Sequence, residues 1–169
     1  SHTYGHASPA GNPFVVTVEI TDDDGGIGTD TLLVTVDNVA PTITGISASP
    51  SSINEARSTT ITATFTDPSW NDTHTATVDC DDGTLISSTL TEENAEPDST
   101  GTVTAVCKYD DDDPTNTLSD TQTVTITVTD DFNDSDSDSV DVTVNNVAPT
   151  VDAGQDVTTD EGSEAFGGE

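Results

Sequence analysis

The side chains in this sequence best suited to chemistry are carboxylates gathered in short runs. Four runs stand out: Asp22-Asp23-Asp24-Gly25-Gly26, Asp81-Asp82-Gly83, Asp110 to Asp113, and Asp130-Asp131-Phe132-Asn133-Asp134. Each falls where a turn is predicted, so its oxygens could converge on a hard cation such as calcium, which takes about six to eight of them. None has the ligand spacing of an EF-hand loop. Asp and Asn also populate turns for backbone reasons alone, and an acidic face can simply be solvated. Calcium is therefore the candidate cofactor, and Asp22, Asp23, Asp24, Asp130 and Asp131 are candidate ligands. The most favourable place for it is a junction between domains, where Asp37-Asn38 or Asn145-Asn146 meets a loop of the next unit.

The remaining reactive residues are few. Cys80 and Cys107 are the only cysteines, and both lie on the apolar phase of predicted strands. A bond between them would close a loop of about 28 residues and stabilise the fold by ~3.5 kcal/mol in the chain-entropy model. The alternative is a pair of buried thiols. The histidines are His2, His6 and His74, the last an isolated residue beside a strand and so read as a surface or packing residue; no Gly-x-Ser-x-Gly nucleophile motif occurs, and carboxylates are so common that nothing selects two for acid and base roles. No catalytic residue is expected, and the chain reads as a non-enzyme.

Strands must position these groups. Val16, Val18 and Ile20 alternate with Thr17, Glu19 and Thr21, and Leu32, Val34 and Val36 alternate with Leu33, Thr35 and Asp37. This is the period of strands with one buried face. The same phase returns at Val124/Ile126/Val128 and Val140/Val142/Val144, and further strands are predicted at Ile61/Ala63/Phe65, Ala76/Val78/Cys80 and Val103/Ala105/Cys107/Tyr109. No window carries a helical apolar stripe. Short strands separated by Gly, Asp, Asn and Pro turns predict an all-β chain of immunoglobulin-like sandwiches. With 30% hydrophobic residues, four Phe, two Tyr and one Trp, the core is modest and some additional fastening is expected.

The strands come in a repeat. Pro41 and Pro149 lie 108 residues apart, and Asp22/Asp130, Asp23/Asp131, Asp30/Asp138, Val34/Val142 and Asn38/Asn146 share that offset. A gapless register of this length marks a duplicated domain. Residues 1–42 read as the C-terminal part of one unit, 43–150 as a complete unit, and 151–169 as the start of a third, since Asp160-Glu161-Gly162-Ser163 echoes the stretch from Asn54 to Ser58. The segment is expected to belong to a longer protein, in which neighbouring chains could complete one another's partial domains.

Charge bounds the partners. A formal charge of −31, with 33 acidic residues against Arg57 and Lys108, repels nucleic acid and anionic lipid, whose phosphates are bound through Lys and Arg. No membrane insertion is expected in this segment. Repulsion between acidic neighbours fades in strong salt or is neutralised by bound divalent ions, so salt adaptation and calcium sites predict similar compositions. Asn71-Asp72-Thr73 and Asn133-Asp134-Ser135 are candidate glycosylation sequons in predicted loops.

A resemblance to a known family rests on a series of motifs. Phe65-Thr66-Asp67-Pro68 is followed by Asp72-Thr73-His74 and by Val78-Asp79-Cys80-Asp81-Asp82-Gly83-Thr84. A Tyr-containing strand comes next, and then the run from Val124 to Asp131 and Val144-Asn145-Asn146-Val147-Ala148-Pro149. Together these resemble the polycystic-kidney-disease (PKD) repeat. Where that family carries an aromatic residue and a glycine in its middle strand, this sequence has Cys80 and Asp81. Where the family has His-Thr-Tyr, the first unit keeps His2-Thr3-Tyr4 and the second has Cys107-Lys108-Tyr109. Both departures fall on the cysteines, which favours a disulfide in place of an aromatic contact. The resemblance implies an immunoglobulin-like module used as a spacer or adhesive element on an extracellular or cell surface. An oxidised cysteine pair would suit that location.

Two function classes follow. One is a structural or adhesive fibre of units joined by Val39-Ala40-Pro41-Thr42 connectors, whose proline stiffens the junction. Its partners would be neighbouring repeats or identical chains, including head-to-tail assembly. The other is an accessory to a secreted hydrolase that presents a surface glycan or protein ligand, with Trp70 as its one exposed platform. A loop plug over the end of the sandwich is the plainer role for Trp70.

Overall fold

Alternating Thr and aliphatic residues form ten strands, and no helix occurs among the described residues. The computed structural model describes residues 2–9, 12–112, 117–152, 154, 158 and 161. Asp113, Asp160, Gly162 and Ser163, and with them the echo of Asn54 to Ser58, lie outside these. The strands are β1 (Phe14–Thr21), β2 (Ile27–Val34), β3 (Thr42–Ser49), β4 (Ser52–Asn54), β5 (Arg57–Asp67), β6 (His74–Asp79), β7 (Thr84–Glu93), β8 (Ser99–Tyr109), β9 (Ser119–Asp130) and β10 (Ser135–Asn145).

Two four-stranded sheets, ordered β3-β5-β8-β7 and β4-β10-β9-β6, face each other as a β-sandwich. All pairings are antiparallel except that of β4 with β10. The inward phase is the one expected: Ile61, Ala63 and Phe65 on β5, Val103, Cys107 and Tyr109 on β8, Val124, Ile126 and Val128 on β9, and Val142 and Val144 on β10 form the core. Cys80, just past β6, is bonded to Cys107 on β8, with Cα atoms 5.8 Å apart. The disulfide thus ties one sheet to the other beside Tyr109.

A third sheet contains β1 and β2 alone. Its register, Phe14↔Val34 through Thr21↔Ile27, is that of β9 and β10, Gln122↔Val142 through Thr129↔Ser135, moved by 108 residues. The turns match as well. Asp22 N–H donates to Gly26 O at 2.9 Å and Asp130 N–H to Asp134 O at 3.0 Å. Asp22 Oδ1 accepts from Gly26 N–H at 2.6 Å and Asp130 Oδ1 from Asp134 N–H at 2.9 Å. Both turns need one left-handed residue, supplied by Gly25 (φ 84°) in the first and Asn133 (φ 71°) in the second, the residue types that accept it most readily.

Candidate metal centre

The inward phase of three strands runs out into polar residues at one end of the sandwich. Beyond Phe65 the next inward position of β5 is Asp67, beyond Val128 that of β9 is Asp130, and β6 begins inward with His74. Asp72, in the loop between β5 and β6, joins them, held there by its N–H bond to Ser69 O at 3.0 Å. Asp67 and Asp72 are fully buried and Asp130 nearly so. One carboxylate oxygen from each lies within 4.8 Å of the other two. Oxygens bound to one calcium at about 2.3–2.6 Å fall within roughly 5 Å of each other, so the three can share one ion.

The hydrogen bonds around this cluster are unevenly distributed. Asp67 Oδ1 accepts from Ser69 N–H at 2.6 Å and its Oδ2 lies 3.1 Å from His74 Nε2, while His74 Nδ1 lies 3.0 Å from Glu92 Oε2. Asp130 Oδ1 accepts from the N–H groups of Phe132 and Asp134, each at 2.9 Å, and its Oδ2 accepts from Asn38 Nδ2 at 2.7 Å. Neither oxygen of Asp72 has a hydrogen-bond partner, and neither does Asn38 Oδ1.

A buried carboxylate left without donors is costly. Two charges at this spacing repel by about 3 to 4 kcal/mol at an effective dielectric of ~20. Burial pushes the Asp72 carboxyl up to about 6, and the charges of Asp131, Asp67 and Asp130 push the same way; Ser69 offsets a small part without reaching hydrogen-bond geometry. Among the described residues Lys108 forms an ion pair with Asp110, and the His74 ring contacts the carboxylates of Asp67 and Glu92. None of these contacts reaches Asp72 or Asp130. The donor set, with hard oxygens, net negative charge and an orphaned carboxylate, fits a divalent cation of the calcium type. Asp67, Asp72 and Asp130 would hold it, with the Asn38 amide beside them.

The cluster is also a junction. Asn38 belongs to the connector between β2 and β3, and its Nδ2 reaches both Asp130 and Asp134, the latter at 2.9 Å. A second contact runs alongside: Asn71 N–H donates to Gly5 O at 2.9 Å, and Trp70 lies against the Gly5 backbone. A Cβ at Gly5 would come 2.6 Å from the Trp70 ring and from Asn71 Nδ2. Gly5→Ala should therefore expel this segment at a cost of about 1–3 kcal/mol. Because Trp70 is the sole tryptophan, the check is direct: its emission should move to the red, and unchanged emission would refute the contact.

The other expected ligands are dispersed. Asp22, Asp23 and Asp24 are exposed in the β1–β2 turn, Asp37 is exposed beside Asn38, and Asp131 is exposed next to the cluster, acting on it by charge. Asn145 instead clamps β4 to β10, its Nδ2 donating to Ser52 Oγ at 3.0 Å and Ile53 O at 2.8 Å. Asn146 is exposed, with its N–H on Leu118 O at 3.1 Å. Asp111 and Asp112 gather with Glu55 in another acid group. The sequon residues Asn71 and Asn133 are both exposed. Asp67 and Asp72 were not anticipated as ligands, although the strand phase that buries Phe65 also buries Asp67. No protein-family model matches the chain, and no curated protein matches it.

Proposed function

We propose that the chain is a non-catalytic structural or adhesive stretch of tandem PKD-type, immunoglobulin-like repeats from an extracellular or cell-surface protein, with calcium fastening each unit to the connector before it. In this reading residues 1–42 end one repeat, 43–150 are a whole one, and 151–169 begin a third. The observation that carries it is Asp72, a fully buried carboxylate without a hydrogen-bond donor, beside Asp67 and Asp130 and next to the connector's Asn38. A divalent ion there would neutralise the cluster and hold the connector against the sandwich, turning a flexible joint into a stiff one. The cross-sheet disulfide suits an oxidising compartment, and no helix among the described residues is long and apolar enough to cross a membrane. Partners in this reading are neighbouring repeats or identical chains, and a surface glycan or protein for an adhesive role.

The accessory reading is weaker because Trp70, its one platform residue, is partly buried against Gly5. Thermal unfolding in millimolar calcium, in EDTA, and in EDTA with molar NaCl tests the proposal. At 100 times its dissociation constant one bound ion adds ~2.7 kcal/mol, a shift of several degrees. Recovery by calcium but not by NaCl is expected. Equal recovery by NaCl would mean that the acidity is general salt adaptation.

A further inference from the structure

The hairpin β1–β2 exposes a face that its counterpart buries. Val18 is 55% exposed, Ile20 70% and Leu32 63%. At the matching positions of β9–β10, Ile126 and Val128 are fully buried and Val140 is partly buried. The strands, the register and the Asp turn are the same in both. What differs is the cover: β9–β10 lies beneath β3, β5 and β8, and among the described residues β1–β2 has no such sheet over it. Aliphatic residues on such a face gain about 1.5–3 kcal/mol each when fully buried, so an open face of this size marks a contact surface.

Resting on the repeat reading above, we infer that the apolar face of β1–β2 docks the leading strands of one more repeat, built like β3 to β8 and continuous with His2. The internal precedent identifies the occupant, because the same hairpin 108 residues later is covered by such strands. The count of parts argues against a second copy of this chain. Each copy presents two hairpins and one cover among the described residues, so covering β1–β2 of one molecule this way would uncover β9–β10 of another. Chain direction points to a covalent source. Tyr4 leads into β1 as Tyr109 leads into β9, and Tyr4 already stacks on Phe14 with ring centroids 4.9 Å apart. A β8-like strand would enter through His2-Thr3-Tyr4. Docking would also bring Asp22, now exposed, to the place that Asp130 occupies, beside the incoming counterparts of Asp67 and Asp72.

The test extends the full chain at its N-terminus with a copy of residues 43–106 placed before His2, the added Cys80 changed to Ser because His2 stands where Cys107 would. Hydrogen exchange in EDTA reads the cover without any metal. The β1–β2 amides should slow by roughly 100-fold or more, and a hydrophobic dye that binds the original chain should be lost. A calcium titration should then find one additional equivalent. Val18→Asp with Ile20→Asp in the extended chain should restore fast exchange while leaving the disulfide-bonded sandwich unchanged. Equal exchange in the original and extended chains, whether or not the added strands fold, would overturn the proposal. So would a concentration-dependent dimer of the unextended chain that the Val18→Asp/Ile20→Asp pair abolishes, since a second copy would then be the occupant. Slowed exchange without calcium binding would uphold the docking and discard the calcium reading; calcium binding by the original chain without slowed exchange in the extended one would do the reverse.

Discussion

Asp72→Asn should raise the melting temperature in EDTA and lower it in calcium. Without an ion, the wild-type carboxylate is buried, has no donor, and faces Asp67 and Asp130. An amide of nearly the same shape removes that charge and can donate to either neighbour. The pH dependence fixes the sign. A carboxyl whose folded pKa is raised from 3.8 to about 6 binds its proton more tightly in the folded state. Its cost is absent below about pH 4, grows between pH 4 and 6, and is complete above that, at about 2 kcal/mol once partial screening is allowed for. In EDTA the Asn variant should therefore gain most at neutral pH and nothing near pH 4. In calcium the order reverses, because the variant loses an anionic ligand and with it roughly tenfold or more in affinity. Crossing curves from thermal unfolding at pH 4, 5, 6 and 7.5, with and without calcium, are the expected result. A variant less stable than wild type under every condition would identify Asp72 as a structural polar residue and not a ligand.

How much of this was legible in the sequence depends on the residue. The period-two phase placed Ile61, Ala63 and Phe65, Val103, Cys107 and Tyr109, and Val124, Ile126 and Val128 in the core, where they are found. Two departures from the family motif, each falling on a cysteine, favour pairing of Cys80 with Cys107, and they are bonded. The sequence marks Asn38 as a junction residue and Asp130 as a candidate ligand in a turn, and the two meet. Asp67 and Asp72 were missed for a physical reason. Runs of acids in turns attract attention, yet the turn acids Asp22, Asp23 and Asp24 are solvated, while Asp67 and Asp72 are single acids at the end of β5 and in the β5–β6 loop. Extending the phase of β5 by one step, from Phe65 to Asp67, places Asp67 beside Asp130, which the turn run already marks as a candidate. Asp72 lies in a loop of no fixed period, and only tertiary packing brings it in.

Removing the disulfide should produce the largest single loss of stability. The chain-entropy cost of freeing a loop of about 28 residues is ~3.5 kcal/mol, which for a domain near 100 residues corresponds to a fall of roughly 15 °C in melting temperature. Cys80→Ala with Cys107→Ala, or reduction of the native chain, should both show it, and the oxidised chain should offer no thiol to alkylation. A fall of only about 2 °C would mean that the modest core holds the sheets together unaided. The bond and the acid cluster occupy opposite ends of the sandwich. Cys107 pairs with Thr59 near the start of β5, whereas Asp67 at its end pairs with Ser99, a separation of about 26 Å along the strand. Sites this far apart, sharing no partner, are expected to contribute additively. Reduction and calcium removal together should thus lower stability by the sum of their separate effects. A combined loss much larger than that sum would show that the two ends support each other through the thin core between them, and that neither fastening suffices once the other is gone.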